Sequence, residues 1–234
     1  MPDLAVVISA AGAGRRMKAR GPKALIEIGG GETVLSRQIV FARKALPKAE
    51  IIVVVGYQKD RVIKVLPKDV GWVENSSHED TNVARSLLVG VNHANAKKVI
   101  LMCGDLVFGP DFLECLPEEG SAAIIDENQN HRSGEVGCNI DQERVCHFSY
   151  GVWPKWGQAV QLADKELDLY RRVASRNQSA RWFAYEVLNG IIDAHGIIVP
   201  AYPDKTNLVE IDSTQDIERA KSLVTKLRRK GVTA

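Results

Sequence analysis

The chain has 234 residues, 45% of them hydrophobic, so it can bury a substantial core, and its length favours one domain over two. A net charge of only +2 argues against a nucleic-acid footprint spread over the surface. No apolar run approaches the roughly 18–20 residues of a membrane span, and the N-terminus lacks a charged region with a cleavable apolar core, so a soluble protein is expected.

Leu4–Ser9 and Ile51–Val55 are apolar at nearly every position, and Val99–Cys103 is similar. Such runs suit central parallel strands covered on both faces. Val34–Ala45 reads as a helix between the first two. A helix at Asp60–Leu66, a strand at Trp72–Glu74 and a helix at Asn82–His93 capped by Thr81 lie between the second and third. Strand and helix alternate as in a Rossmann-like, doubly wound α/β sheet, whose ligands bind at the carboxyl ends of the strands. Beyond Ala122–Ile125 the pattern changes. Glu135–Ile140 and Arg144–Tyr150 flank Asp141-Gln142-Glu143 as an inserted β-hairpin. Gly157–Arg172 and Ala180–Ala194 read as helices, the second ended by Gly196, and short strands follow at Ile197–Ala201 and Leu208–Ile211. A last helix runs from Thr214 to about Arg229, with acids in its first turn and bases in its last. On this reading residues 1–120 and 196–234 form the core of one domain, and residues 121–195 an elaboration inserted into it.

Ala10 to Lys23, A-A-G-A-G-R-R-M-K-A-R-G-P-K, follows the first strand. Five of the nine residues from Arg15 to Lys23 are cationic, and no carboxylate occurs between Leu4 and Ile26. Glycines let backbone N–H groups approach a ligand closely, so a strand followed by a cationic, glycine-rich loop reads as a polyphosphate site. It is not a dinucleotide fingerprint, because Gly12-x-Gly14 lacks the third glycine and no acid ends the Ile51–Val55 strand. It is not a P-loop either, since Lys23 is followed by Ala24 and not by a hydroxyl residue.

The remaining pattern resembles the nucleotidyltransferase superfamily, which couples nucleoside triphosphates to phosphate monoesters. Its members include sugar-1-phosphate nucleotidyltransferases, phosphocholine cytidylyltransferases and MobA-like molybdopterin guanylyltransferases. The matching residues are Ala10, Ala11, Gly12, Gly14, Arg16, Met17, Pro22 and Lys23. The series continues through Gly56-Tyr57, Thr81-Asn82 with Ser86-Leu87, Gly104-Asp105 with Phe108, and Glu210-Ile211-Asp212 followed by Asp216. The Glu210–Asp216 ending and the Asn82 stretch look most like the phosphocholine-type cytidylyltransferase branch. The resemblance implies the nucleotide-diphospho-sugar transferase type of sheet, base reading by the backbone at Ala10 and Ala11, and nucleotide contacts at Asn82 and Ser86.

The chemistry can also be argued from the residues. A phosphate monoester, with its second pKa near 6, is mostly dianionic at neutral pH and needs no general base. What it needs is cancellation of charge as two polyanions meet and pyrophosphate leaves. The amides near Gly12 and Gly14, with Arg16 and Lys23, can supply it beside Mg2+. Magnesium takes one or two carboxylates plus substrate phosphates. Asp105 and Asp212, each just past an apolar strand, are the expected metal ligands, although Asp212 could instead cap the last helix. Asp126, Glu135 and Trp153 are acceptor-side candidates, an aromatic ring being suited to a quaternary ammonium group.

The expected function is therefore Mg-dependent transfer of NMP from an NTP, CTP favoured, to a phosphocholine-like or sugar phosphate. Alternatives are molybdopterin or hexose-1-phosphate guanylyl- or uridylyltransfer, or a non-catalytic nucleotide sensor. The expected partners are the NTP and the phosphorylated small molecule, with no nucleic acid and no membrane, and a homodimer stays open. Cys103, Cys115, Cys138 and Cys146 form no C-x-x-C pair, and reduced, buried thiols would place the protein in the cytoplasm.

Overall fold

The computed structural model describes residues 3–14, 21–127, 134–204 and 207–233. β1 (Leu4–Ser9) leads through the glycine loop to β2 (Glu27–Gly29), β3 (Glu32–Thr33) and α1 (Val34–Ala45). Then come β4 (Glu50–Val55), α2 (Lys59–Ile63), β5 (Gly71–Glu74), α3 (Val83–His93), β6 (Lys98–Cys103), β7 (Leu106–Phe108) and α4 (Asp111–Glu114). The elaboration contributes β8 (Ala122–Asp126), β9 (Val136–Asp141), β10 (Arg144–Tyr150), β11 (Lys155–Ala163), α5 (Asp164–Ala174) and α6 (Ala184–Asp193). β12 (Val199–Ala201), β13 (Leu208–Glu210) and α7 (Thr214–Arg229) close the chain.

A mixed sheet runs in the order β10-β9-β11-β6-β1-β4-β5, with β8 on β11 and β12 on β8. β6, β1, β4 and β5 are parallel to one another, whereas β11 is antiparallel to β6. Alternate side chains of β1 and β4 enter opposite cores. Val7, Ile52 and Val54 pack beneath α3, and Val6, Ile8, Ile51 and Val53 pack against Leu35, Ile39 and Phe41 of α1. Helices thus cover both faces, as two-sided apolar strands require. Gly90 lets α3 lie close to the sheet, where a Cβ would meet Val7 Cγ1 at 2.2 Å. A smaller core joins Ile28, Val107 and Ile211 to Ile217, Ala220 and Val224 of α7.

Local chemistry sets the helix starts. The Ser36 amide donates to Thr33 Oγ1 at 3.2 Å and the Thr33 amide to Ser36 Oγ at 2.8 Å, opening α1. α7 opens at Ser213, whose amide and hydroxyl both donate to Asp216 Oδ2. That leaves the Asp212 side chain outside the cap.

Four expectations need correction. Residues 157–163, expected in a helix, belong to β11, and only α5 from Asp164 onward is helical. The run A-V-Q-L-A is apolar on both faces because a core packs on each, Ala159 in one and Val160 and Leu162 in the other, and a short run of that kind has no periodicity to separate strand from helix. Its polar member, Gln161, is buried and donates to the carbonyls of Pro117 and Gly120, both at 2.9 Å. The cap of α3 is Asn82, not Thr81, whose hydroxyl donates back to the Ser77 carbonyl. At the end of α6 the left-handed residue is His195, with φ 59°, while Gly196 is required for space, since a Cβ there would meet Ile191 Cγ2 at 2.4 Å. The four cysteines form no disulfide, but Cys146 is exposed and not buried as expected. No helix among the described residues is long and apolar enough to cross a membrane.

Candidate active site

The carboxyl ends of β6 and β1, the start of α3 and the near end of β11 surround a cavity of about 370 Å³. Ala10, Ala11, Gly12 and Gly14 line it from the loop after β1, and Asn82 and Ser86 from the start of α3. Lys23, Asp105 and Asp212 line it at the metal end, and Glu135 on the hairpin side. Asp126, buried at the end of β8, and Trp153, half exposed, are not among its lining residues. Arg16 lies outside the described residues.

The aspartates meet because of backbone pairing. The Gly104 amide donates to the Ser9 carbonyl at 2.9 Å, and a Cβ on Gly104 would meet that oxygen at 2.5 Å, so only glycine lets β6 turn here. β7 then pairs antiparallel with β13, Leu106 opposite Glu210, and the Ile211 amide donates to the Asp105 carbonyl at 3.0 Å. This register carries Asp212 to Asp105 across more than one hundred residues of chain.

Oxygens of Asp105, Glu210 and Asp212 lie within 4.8 Å of one another. The Lys23 ammonium bridges two of them, donating to Asp105 Oδ2 at 3.0 Å and to Asp212 Oδ1 at 2.8 Å. Burial alone would lower the lysine pKa, but the two aspartates overcome it and raise it. Asp105 Oδ1 is buried and has no hydrogen-bond partner. Three hard oxygen donors around an unsatisfied carboxylate oxygen fit a divalent cation such as magnesium. Asp105 and Asp212 would hold it, with Glu210 beside them.

Glu210 is the residue that sequence reading quoted in a motif but gave no role. Burial raises its pKa to about 7, the charges of Asp105 and Asp212 adding to the effect while a Gln158 hydrogen bond and Lys155 oppose it. The metal-free protein should therefore lose stability as pH rises between about 4.5 and about 7. In that window the folded chain keeps a proton that the unfolded chain has released, so rising pH favours unfolding. Glu210→Gln should remove on the order of 2–3 kcal/mol of that pH dependence, read from urea midpoints across the window. An unchanged slope would place the raised group elsewhere.

Two further polar residues were not anticipated. Lys155, almost fully buried, places its ammonium 2.8 Å from Glu135 Oε1 and 4.0 Å from Glu210 Oε2. It links the hairpin side of the cavity to the metal end. Asn75 donates to Thr81 Oγ1 at 3.1 Å and to Ser86 Oγ at 3.0 Å, which fixes the wall before α3. Each stands alone in its stretch of sequence, without a pattern to mark it. On β11 a bulge between Trp156 and Val160 holds Gln158 at φ 56°, and Gln158 lines the cavity with Trp156. Tyr150, Phe183 and Tyr185 add an aromatic wall, Tyr185 edge-on to Tyr150 at 5.4 Å and stacked on Phe183 at 6.1 Å.

A mixed α/β sheet carrying a carboxylate cluster beside a glycine loop is the arrangement of a nucleotidyltransferase. Residues 6–182 match the family described as the MobA-like NTP transferase domain, and the chain belongs to that family. The bifunctional protein GlmU of Neisseria meningitidis serogroup B (strain MC58) is 33% identical over 174 residues, 70% of this chain and 36% of that protein. GlmU of the serogroup A strain Z2491 is 38% identical over 104 residues, 44% of this chain and 22% of that protein. The matches thus span little more than a third of these relatives at most. The inositol-1-phosphate CTP transferase of T. maritima superposes with a TM-score of 0.77, covering 99% of this chain and 98% of that one at 19% identity. LicC, the CTP:phosphocholine cytidylyltransferase of Streptococcus pneumoniae, gives 0.72 over 94% and 99% at 20% identity. These two share the fold.

Proposed function

We propose that the protein transfers NMP from an NTP, CTP for preference, to the phosphate of a phosphocholine-like or sugar-phosphate acceptor, with Mg2+ held by Asp105 and Asp212. The observation that carries this reading is the convergence of Lys23, Asp105, Glu210 and Asp212 on one cavity beside the amides of the glycine loop. An acceptor phosphate oxygen bonds to the α-phosphorus as the bond to the β-phosphate oxygen breaks, and pyrophosphate leaves. The acceptor is already anionic, so the chain supplies no base. Lys23 and Arg16 neutralise phosphate charge, and the backbone at Gly12 and Gly14 cradles the phosphates. Asn82 and Ser86 border the nucleoside, and Glu135 borders the acceptor. The metal, when bound, offsets charge on the phosphates as a Lewis acid. Nothing in the geometry extends an acceptor role to Asp126 or Trp153. Two proteins of the same fold, described as acting with CTP on inositol-1-phosphate and on phosphocholine, support a phosphomonoester acceptor. Four unpaired cysteines support a reducing compartment such as the cytoplasm.

The CTP preference also draws on His78, which lines the cavity near Ala11. Its ring lies so close to Gly56 that a Cβ there would meet His78 Cγ at 2.8 Å and the Ala11 carbonyl oxygen at 2.9 Å. Its Nδ1 stands 3.2 Å from the Asn75 carbonyl oxygen, a partner that only an N–H satisfies. In the neutral ring Nε2 is then an acceptor, suited to the 4-amino group of cytosine and unsuited to the 4-oxygen of uracil. Pyrophosphate release, followed with four NTPs, several phosphorylated acceptors and Mg2+, tests the reading. Absence of turnover together with absence of metal-dependent NTP binding would end it. His78→Ala should reduce the CTP-to-UTP ratio of kcat/KM about tenfold, the size of one lost hydrogen-bond discrimination. A ratio unmoved by the substitution would remove His78 from base selection.

A further inference from the structure

The Lys23 ammonium bridges the two carboxylates proposed above to hold a divalent cation. It lies between Asp105 and Asp212, at 3.0 and 2.8 Å, two members of the carboxylate trio found among the described residues. A magnesium-sized ion bonded to those same two oxygens, Asp105 Oδ2 and Asp212 Oδ1, and an ammonium at those distances cannot share the space. The lysine also completes the cluster poorly, because Asp105 Oδ1 remains buried and unpaired while the ammonium serves Oδ2. Buried carboxylate oxygens are rarely left so.

The lysine backbone is fixed by local structure, whereas among the described residues its head is held only by the two carboxylates. Pro22 precedes it, and the Ile26 amide closes a helical turn on the Lys23 carbonyl at 3.0 Å. The stem runs beside Gly14, where a Cβ would meet Lys23 Cγ at 3.1 Å, so glycine at φ 56° keeps that side clear. Four rotatable bonds then carry the ammonium between the carboxylates and the cavity, into which Lys23 already opens.

We propose that Lys23 is the resident counter-ion of the carboxylate cluster, that a divalent cation displaces it, and that the triphosphate receives the displaced ammonium. The inference rests on the nucleotidyltransferase reading above and adds an order of events to it. Metal alone binds weakly, since it must evict an ammonium that then has no partner in a partly buried site. Metal with triphosphate binds tightly, because the phosphates give that ammonium a new partner. By linkage the nucleotide is favoured by metal to the same degree. One side chain thereby makes the two ligands enter together.

The test is Mn2+ binding to the full chain, followed by electron paramagnetic resonance without nucleotide. Lys23→Met and Lys23→Gln, shown to be folded by thermal unfolding, should each bind Mn2+ at least about tenfold more tightly than wild type, one decade being the least that a lost competing charge pair implies. A non-hydrolysable α,β-methylene CTP analogue should then tighten Mn2+ binding less in the variants than in wild type. Unchanged or weaker Mn2+ binding in the folded variants would overturn the proposal, as would tight Mn2+ binding by wild type without nucleotide. Asp105→Asn should lose Mn2+ binding in both backgrounds. If it binds like its parent, the cluster is not the metal site and the reading beneath the proposal fails instead.

Discussion

Asp105→Asn should lower the rate of pyrophosphate release by about 10³-fold, close to 4 kcal/mol of transition-state stabilisation. Asparagine keeps the size of the side chain and still accepts a hydrogen bond from Lys23, so the site stays filled. It removes the charge of the one carboxylate among the described residues with a buried, unpartnered oxygen, and with it the strongest hold on a hard cation. The fold should survive, because the substitution also relieves like-charge repulsion on Glu210. Steady-state turnover with saturating NTP and Mg2+, beside a thermal unfolding curve, separates the two effects. Activity within tenfold of wild type would remove Asp105 from the metal site.

Arg37→Met should have the largest effect on stability, about 3–5 kcal/mol, which for a chain of this size lowers Tm by roughly 10 °C. Arg37 is 1% exposed. Its Nε donates to the Phe108 carbonyl at 3.0 Å, its Nη1 to Glu32 Oε2 at 2.7 Å, and its guanidinium lies 4.5 Å from the Phe41 ring centroid. Methionine fills most of the space but leaves the Phe108 carbonyl unpaired and Glu32 dependent on Arg228 alone, at 2.7 Å. Breaking a buried pair by removing one partner strands the other. Double replacement with Glu32→Gln should therefore cost less than the sum of the two single changes, and strict additivity would refute the coupling. Phe108 ends β7, whose first residue follows Asp105. The same arginine thus braces the strand that presents the carboxylate.

Much of this architecture was legible in the chain, for local reasons. Leu4–Ser9, Val34–Ala45 and Thr214–Arg229 fall at the bounds expected from composition, because each is a strongly patterned run stopped by a glycine turn or a capping residue. β11 was not, since a strand buried on both faces and carrying a hidden glutamine looks like a helix segment when its neighbours are unknown. For the site, strand ends pointed to Asp105 and Asp212, and the structure brings them together through β7 and β13. Glu210 could have been found by the two-residue repeat of a strand, which puts it on the side that Asp212 continues. Lys155 and Asn75 are different. Their importance arises from partners far away in the chain, and no local pattern encodes that.

The bracing of β11 between β6 and the hairpin strands has a wider consequence. Because backbone pairing links β9 through β11 to β6, the proposed acceptor wall and the proposed cation end belong to one sheet, and moving them apart like jaws would cost ladder hydrogen bonds. Evolution could then exchange the hairpin and α6 to suit new acceptors while the machinery under β1 and β6 stayed put, much as a lathe takes different chucks on one bed.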